Sequence, residues 1–530
     1  MPYQPEKPID EMTMDEMIED LRRRKAYLRR GGDARVQEKM RQRGMLNARE
    51  RIATLLDTDT FVELNMFMTH HCVGLGMDNR EVPAEGLITG YGEIDGRDVY
   101  LYSQDYSALG GAVGRWGGLK MVRMYDLAYA RGAPVIAICH GTGARFQEAA
   151  NGNGGGGVAF GMQFNRIARY SGAIPQIALM MGDNGGGGVY GPGMCDFVIA
   201  TKQTNMFIAG PPTVKSAIGE QVSAEELGGA EMHAKVSGVV HVLAEDDEDC
   251  LNKCRELLSF LPMSCREAPP VVETGDDPNR LCPELAKVVP DTPRMPFDMH
   301  KVIEQIVDNG YFFEIHKDYC KNVIVGFTRF SGQTVGLVAS NSQYSAGAIT
   351  WDAAEKGARF IRFCDCFDIP LVFLGDSPAY MVGSKQERNG MIARGSSMVF
   401  ATAEATVPKI AVHIRRTTTA ASYSLGALAL GGDLLFYWPA KEVTGFGPEV
   451  VSDVIYRKQI AAAENPEEAR RLKIEEVRQE LGDVYSMASW EQCNDVIEPA
   501  ETRVVIIKAL KMLKSKVAFQ PQKKYGNIPL

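Results

Sequence analysis

The chain has 530 residues, 45% of them apolar and 24% charged, the balance of a soluble folded protein with ample core and a length that suits two to four domains. With 67 acidic against 58 basic residues the net charge is −9, so the basic footprint of a dominant nucleic-acid partner is missing. No apolar run reaches the roughly 18 residues of a membrane span, the acidic start MPYQPEKPIDEMTMDEM is no secretory signal, and the 11 cysteines include no CxxC pair. Free thiols in a reducing cytoplasm, with no metal, are the expectation.

In chain order, Met14, Ile18, Leu21 and Leu28 recur at helical spacing and predict an amphipathic helix over 14–30. Its basic run, Arg22 to Lys25, reads as a solvated face or a subunit contact. The short apolar runs VYLYS (99–103), APVIAIC (133–139), QIALMM (176–181) and NMFIAG (205–210) read as buried strands. Helical stretches at 119–131 and 158–171 alternate with them, which predicts an α/β fold with crossover connections. Glycines concentrate at 110–118, 152–157 and 182–193. Eight of the 26 prolines fall between 262 and 298, so residues 266–295 are expected to link an N-terminal domain (1–265) to a C-terminal one (296–530).

The two halves look like copies. A shift of 236 residues carries Gly96, Val99, Leu101, Gly111, Ala112, Lys120, Arg123 and Pro134 onto identical residues, Gly332 through Pro370. Further on, PQIALMMGDNGGGGVY at 175–190 aligns with PKIAVHIRRTTTAASY at 408–423. Two windows in the same order point to a tandem duplication.

The most informative loop is Met181-Gly-Asp-Asn-Gly-Gly-Gly-Gly-Val-Tyr-Gly-Pro-Gly193, between a predicted strand and an apolar stretch, 194–200, expected to be helical. Glycines at such a turn let backbone N–H groups approach a ligand. Gly186-x-Gly188-x-x-Gly191 fits a dinucleotide fingerprint in form only, since no acidic residue follows at about 20 positions, and no GxxxxGK[ST] occurs. An oxyanion hole or a tight structural turn remain. No GxSxG elbow or HExxH helix is present. His140, beside Gly141 and Gly143 at a strand end, is either a structural hydrogen bonder or a site residue.

A series of segments carries a family resemblance: ARERIATLLD (48–57), ITGYGEIDGRDVYLYSQD (88–105), GARFQE (143–148), GPPTVKSAIGEQVSAEELGGAEMH (210–233), FFEIHKDYCKNVIVGF (312–327), ARFIRFCDCFDIPL (358–371), FATAEATVPKIAV (400–412) and IEPAETR (497–503). In these the chain resembles the carboxyltransferase (β) subunits of biotin-dependent acyl-CoA carboxylases, most nearly those acting on propionyl-CoA and related thioesters. The resemblance implies a tandem of two crotonase-like α/β domains, assembled as a homohexamer, a trimer of dimers. It implies acyl-CoA on the N-terminal half, biotin on the C-terminal half, and a site between the N-half of one chain and the C-half of another. Carried over, one oxyanion pair falls within Gly186, Gly187 and Gly188 and the other within Thr419, Ala420 and Ala421; the repeat itself sets Gly187 and Gly188 opposite Ala420 and Ala421. Gly143, Ala144, Arg145 and Tyr190, with Asp376, Pro378, Tyr380 and Tyr423, are then expected around the acyl-CoA and biotin.

Departures from the family pattern cluster at the same places. Its Asp-Ser-Gly-Gly-Ala-Arg is here His140-Gly-Thr-Gly-Ala-Arg145, its Asp-Val-Pro-Gly-Phe is Asp376-Ser-Pro-Ala-Tyr380, its Gly-Gly-Ala is Thr419-Ala-Ala421, and Tyr423 stands near its specificity aspartate. The Thr-Ala-Ala run is similar to that of biotin-dependent decarboxylases such as the glutaconyl-CoA enzyme, which run the transfer backwards. There is no AMKM biotinylation site, since Ala509-Leu-Lys-Met512 lies in a predicted terminal helix, and no biotin carboxylase region fits. Separate biotin carboxylase and biotin carrier subunits are therefore expected as partners.

Overall fold

Short β-branched and aliphatic runs form two sheets with the same strand order. A computed structural model describes residues 3–150, 155–292, 295–440, 446–480 and 483–529. It divides into two units, Met1–Glu267 and Ala268–Leu530. In the first unit β1 (Val62–Leu64), β2 (Leu87–Ile94), β3 (Arg97–Gln104), β4 (Val135–Gly141), β5 (Gln176–Gly185), β6 (Phe197–Thr201) and β8 (Val242–Ala244) lie side by side in that order, and β7 (Met206–Phe207) pairs with the end of β5. In the second, β9 (Phe312–Ile315), β10 (Val323–Phe330), β11 (Gln333–Ser340), β12 (Leu371–Ser377), β13 (Lys409–Thr417), β14 (Leu434–Tyr437) and β15 (Asp495–Val496) repeat the order. The first three strands of each are antiparallel and the rest parallel. Parallel strands need crossovers, and helices such as Arg115–Arg131 and Trp351–Cys366 supply them.

The duplication is written into the backbone. Asp95 and Gly96 have φ of 51° and 71°, and Ser331 and Gly332 have 51° and 80°. Leu109, Gly110 and Gly111 (55°, 63°, 64°) correspond to Ser345, Ala346 and Gly347 (50°, 54°, 78°). Both central strand pairs also slip register at one place, between Cys139 and Gly141 in β4 and between Gly375 and Ser377 in β12. Two buried lysines match as well. Lys120 Nζ donates to the carbonyls of Ala84 and Leu87, and Lys356 Nζ to those of His316 and Tyr319, each tying its helix to the turn before a hairpin.

Each sheet buries its own core. Tyr102, Tyr125, Ala137, Phe160, Ala178 and Met180 meet in the first unit, and Ile303, Leu337, Leu374, Val412, Ile506 and Leu510 in the second. Each of the larger side chains among them contributes about 1.5–3 kcal/mol by leaving water.

Two expectations need adjusting. Residues 194–200 are not helical: the helix is Gly187–Met194, inside the glycine run, and Phe-Val-Ile-Ala-Thr is strand β6, as its β-branched content favours. NMFIAG contributes only the two residues of β7. The proline-rich stretch packs on the second unit, where Cys282 and Leu285 are buried and Asp276 pairs with Arg280 and Arg503. The amphipathic helix is Met14–Arg29, closed by a capping box at Thr13. Gly152–Gly154, Pro293 and Arg294 fall outside the described residues.

Candidate active site

In the first unit β5 ends at Gly185, the chain reverses at Gly186 (φ 55°, ψ −128°), and the helix Gly187–Met194 begins. The first residues of a helix have no intrahelical acceptor for their N–H groups, so the Gly187 and Gly188 amides face away from the helix body. The Gly186 amide is different: the carbonyls of Phe207 and Ile208 take it, each at 3.2 Å. Of the three glycines, 187 and 188 are the pair whose amides make no hydrogen bond among the described residues. Gly187 must lack a side chain, because a Cβ there would meet the Phe160 ring at 2.7 Å.

The second unit repeats this turn with other residues. β13 ends at Thr417, Thr419 has φ 53°, and the helix Thr419–Ser424 carries Ala420 and Ala421 in its first turn. Thr419 is thus the counterpart of Gly186, and Ala420 and Ala421 are the counterparts of Gly187 and Gly188.

A loop from the neighbouring strand braces each turn. After β4, Gly143 (φ 95°) passes so close to β5 that a Cβ would meet the Gly185 carbonyl at 2.7 Å. Val113 donates to the Gly143 carbonyl (2.8 Å), Arg145 N–H donates to that of Val113 (2.9 Å), and Val113 and Ala144 form a bridge. After β12, Ile349 donates to Ala379 (3.1 Å), Met381 to Ile349 (2.8 Å), and Ile349 bridges to Tyr380. Asn184 locks the first register slip, accepting from the Gly141 amide (3.2 Å) and donating to the Gly182 carbonyl (2.9 Å).

Beneath the cradles lie two unlike groups at equivalent positions. His140 is buried and stacks on Tyr106 at 4.1 Å; Gly182 makes room for it, since a Cβ there would lie 2.3 Å from Nε2. Its Nδ1 faces an Arg51 Nη at 3.3 Å, and a guanidinium can only donate, so Nδ1 accepts and the proton sits on Nε2. Burial, and then the Arg51 charge, hold this imidazole well below its usual range, so it is neutral. Arg51 itself is paired with Asp247 (2.8 Å) and donates to the Met181 carbonyl (2.6 Å). In the second unit Asp376 is buried against Arg415, with Oδ2 to Nη2 at 2.7 Å, and its Oδ1 accepts from the Arg416 amide at 3.3 Å.

The remaining expected residues divide by exposure. Arg145 is fully buried between Glu85 (2.8 Å) and Glu148 (2.7 Å), so its side chain has no face toward a ligand and instead holds the Gly143–Ala144 loop. Burial pushes the Glu85 carboxyl up, against the pull of Arg145. Asp376 likewise works from below. The Pro378 carbonyl accepts the Thr418 hydroxyl. Tyr380 donates to the Gly395 carbonyl (3.1 Å) and shares a 2.6 Å hydrogen bond with Ser424, and burial pushes its phenol up to about 12. Tyr190 and Tyr423 are about half exposed on the two cradle helices. Sequence reasoning missed the Arg51–Asp247 pair and the Glu85 and Glu148 carboxylates; Arg51 and Glu148 do lie within the segments ARERIATLLD and GARFQE.

The arrangement offers two sets of main-chain donors on neutral, preorganised turns, which suits oxygens that gain negative charge. The carboxyl transferase domain matches residues 39–528. The propionyl-CoA carboxylase carboxyltransferase subunit of Haloferax mediterranei is 42% identical over 98% of this chain and 100% of its own length. The α subunit of methylmalonyl-CoA decarboxylase from Veillonella parvula is also 42% identical, over 98% and 100%. The transcarboxylase 12S crystal structure, a hexamer with methylmalonyl-coenzyme A bound, superposes with a TM-score of 0.93 at 38% identity, over 98% of this chain and 99% of that one. The chain therefore belongs to the carboxyl transferase domain family, whose tandem crotonase-like fold it shares.

Proposed function

We propose that this chain is the carboxyltransferase subunit of a biotin-dependent acyl-CoA carboxylase, acting on the α-carbon of propionyl-CoA. The observation that carries the reading is the matched pair of turns, a left-handed residue (Gly186 at 55°, Thr419 at 53°) followed by two amides at a helix start. The Gly187 and Gly188 amides hold the thioester oxygen of acyl-CoA on the first unit. The Ala420 and Ala421 amides hold the ureido oxygen of biotin on the second; alanine suffices because the donors are main-chain.

Carboxybiotin supplies the CO2 and, on its ureido nitrogen, the base for the α-proton. Neither titratable side chain under the cradles competes for that role: His140 is neutral with Nδ1 already accepting, and Asp376 is tied to Arg415. As the α-proton leaves, charge moves onto the thioester oxygen, and donors already aimed there stabilise the enolate without rearranging. Gly143, Ala144 and Tyr190 edge the acyl-CoA, and Pro378, Tyr380 and Tyr423 edge the biotin, while Arg145 and Asp376 support these loops from within. Biotin rides on a separate carrier subunit and is charged by a separate biotin carboxylase. The chain assembles as a homohexamer, like the transcarboxylase 12S core. It works in the cytoplasm, in keeping with 11 free cysteines and, among the described residues, no helix long and apolar enough to cross a membrane.

A second reading has its own support in the equal likeness to the Veillonella parvula decarboxylase subunit. There the same residues run the transfer from methylmalonyl-CoA to biotin. Purified chain with free biotin and malonyl-, methylmalonyl-, 3-methylglutaconyl- or glutaconyl-CoA tests the common half-reaction. Biotin-dependent CO2 release fastest with methylmalonyl-CoA is expected. Release fastest with a glutaconyl thioester would overturn the substrate, and none from any thioester would overturn the activity. The partner subunits encoded or purified with the chain separate the two directions: a biotin carboxylase means carboxylation, a membrane decarboxylase pump the reverse.

A further inference from the structure

Among the described residues, 16 non-glycine residues have positive φ, and Thr419 is the one β-branched residue of the set. Most others are short polar residues, alanines or unbranched side chains at turns. The left-handed region is disfavoured for any L-residue and is a true outlier for a β-branched one. Such strain marks places where the surroundings over-determine the backbone, and these cluster at ligand sites. The counterpart Gly186 meets the same backbone requirement with glycine, and a Cβ there would find nothing nearer than the Ile208 carbonyl at 4.0 Å. At Gly186 a side chain would therefore have open space before it.

The neighbouring hydroxyls divide clearly. Thr418 donates its hydroxyl to the Pro378 carbonyl, and Thr417 Oγ1 is buried in the protein without a partner. Thr419 is half-buried, and its hydroxyl makes no hydrogen bond to the described residues. It is thus the available hydroxyl of the three, one residue from Ala420. We infer that the Thr419 hydroxyl is a third donor of the second cradle, giving a hydrogen bond to the same ligand oxygen that the Ala420 and Ala421 amides face. The inference rests on the proposed biotin-side role of that cradle. It makes the two cradles chemically unequal: the first presents amides only, the second amides and a side-chain hydroxyl.

The test uses the full chain, free biotin and methylmalonyl-CoA, with CO2 release and thermal unfolding as readouts. Three variants separate strain from contact: Thr419→Gly relieves the backbone and drops the hydroxyl, Thr419→Ala drops the hydroxyl alone, and Thr419→Ser keeps it. Thr419→Gly is expected to melt about 2–4 °C higher while losing tenfold or more in turnover or in apparent affinity for biotin. Thr419→Ala should lose as much without the gain in melting temperature, Thr419→Ser should stay within threefold of the parent, and KM for the thioester should move less than twofold throughout. Parent-like turnover and biotin KM in the Gly and Ala variants would overturn the inference, as would a serine variant as poor as alanine. A parent enzyme that releases no CO2 from any thioester marks the failure of the proposed activity itself, recognisable because it does not depend on residue 419.

Discussion

The two cradles reach the same backbone geometry from different foundations. Under the first lies a neutral imidazole, His140, stacked on Tyr106 and accepting from Arg51; under the second lies an ion pair, Asp376 with Arg415. The first turn is built of glycines and the second of Thr419, Ala420 and Ala421. What the copies share is the direction of the N–H groups at the strand-to-helix turn. A function placed on the main chain leaves side chains free to diverge, provided each new set still fixes φ at one left-handed position and closes the strand slip beside it.

The sharpest way to break the comparison is to remove the foundation of each cradle. Asp376→Ala leaves Arg415 buried without its carboxylate and should cost about 3–5 kcal/mol, read as an early melting transition and lost activity. His140→Phe keeps the stack on Tyr106, and Arg51 retains Asp247, so about 1 kcal/mol is expected. Equal costs would mean that the two supports are interchangeable. Gly188→Pro removes one amide in the first helical turn, where that N–H has no intrahelical acceptor to lose, and a Cβ there has 3.7 Å to its nearest neighbour. Unfolding should change little while turnover falls by about 10²–10³; a parent-like rate would dismiss Gly188 as a donor.

Smaller effects lie in the pH dependence of stability. His413, fully buried on β13, has its imidazole pushed down to about 4 by burial, and His140 is pushed well below its usual range. Unfolded imidazoles near 6.5 bind protons that the fold excludes, so stability should fall as pH drops below about 6.5. His413→Phe should flatten that slope in melting temperature between pH 6.5 and 4. His300 behaves oppositely: hydrogen bonds to Glu314 (3.1 Å) and Asp298 (2.8 Å) raise its imidazole to about 9. Its contribution is complete below about 6.5 and lost as pH rises through 9, so His300→Gln should lower the melting temperature at pH 6 and leave it unchanged at pH 10.

Strands and duplication were legible because apolar runs such as QIALMM and the 236-residue spacing of Gly96, Lys120 and Pro134 survive in both halves. The cradle glycines were legible because their number has few other uses. The helix start was not, since Gly-Gly-Val-Tyr-Gly-Pro-Gly has little helical propensity of its own and only the packed surroundings select that conformation. Nor was the burial of Arg145 and Asp376, whose partners Glu85 and Arg415 lie 60 and 39 positions away. Local pattern carries no signal for such pairs.

That weak helix has a consequence for motion. Gly187–Met194 contains glycines at 187, 188, 191 and 193 and a proline at 192, each interior glycine costing about 1 kcal/mol relative to alanine. Its amides should open at lower free energy than those of Arg115–Arg131, and Val189 and Tyr190 should exchange hydrogen for deuterium sooner. A bound thioester oxygen would close that opening, so protection at 189–190 would rise on adding acyl-CoA, making solvent exchange at two tyrosine- and valine-borne amides a direct clock for occupancy of the first cradle.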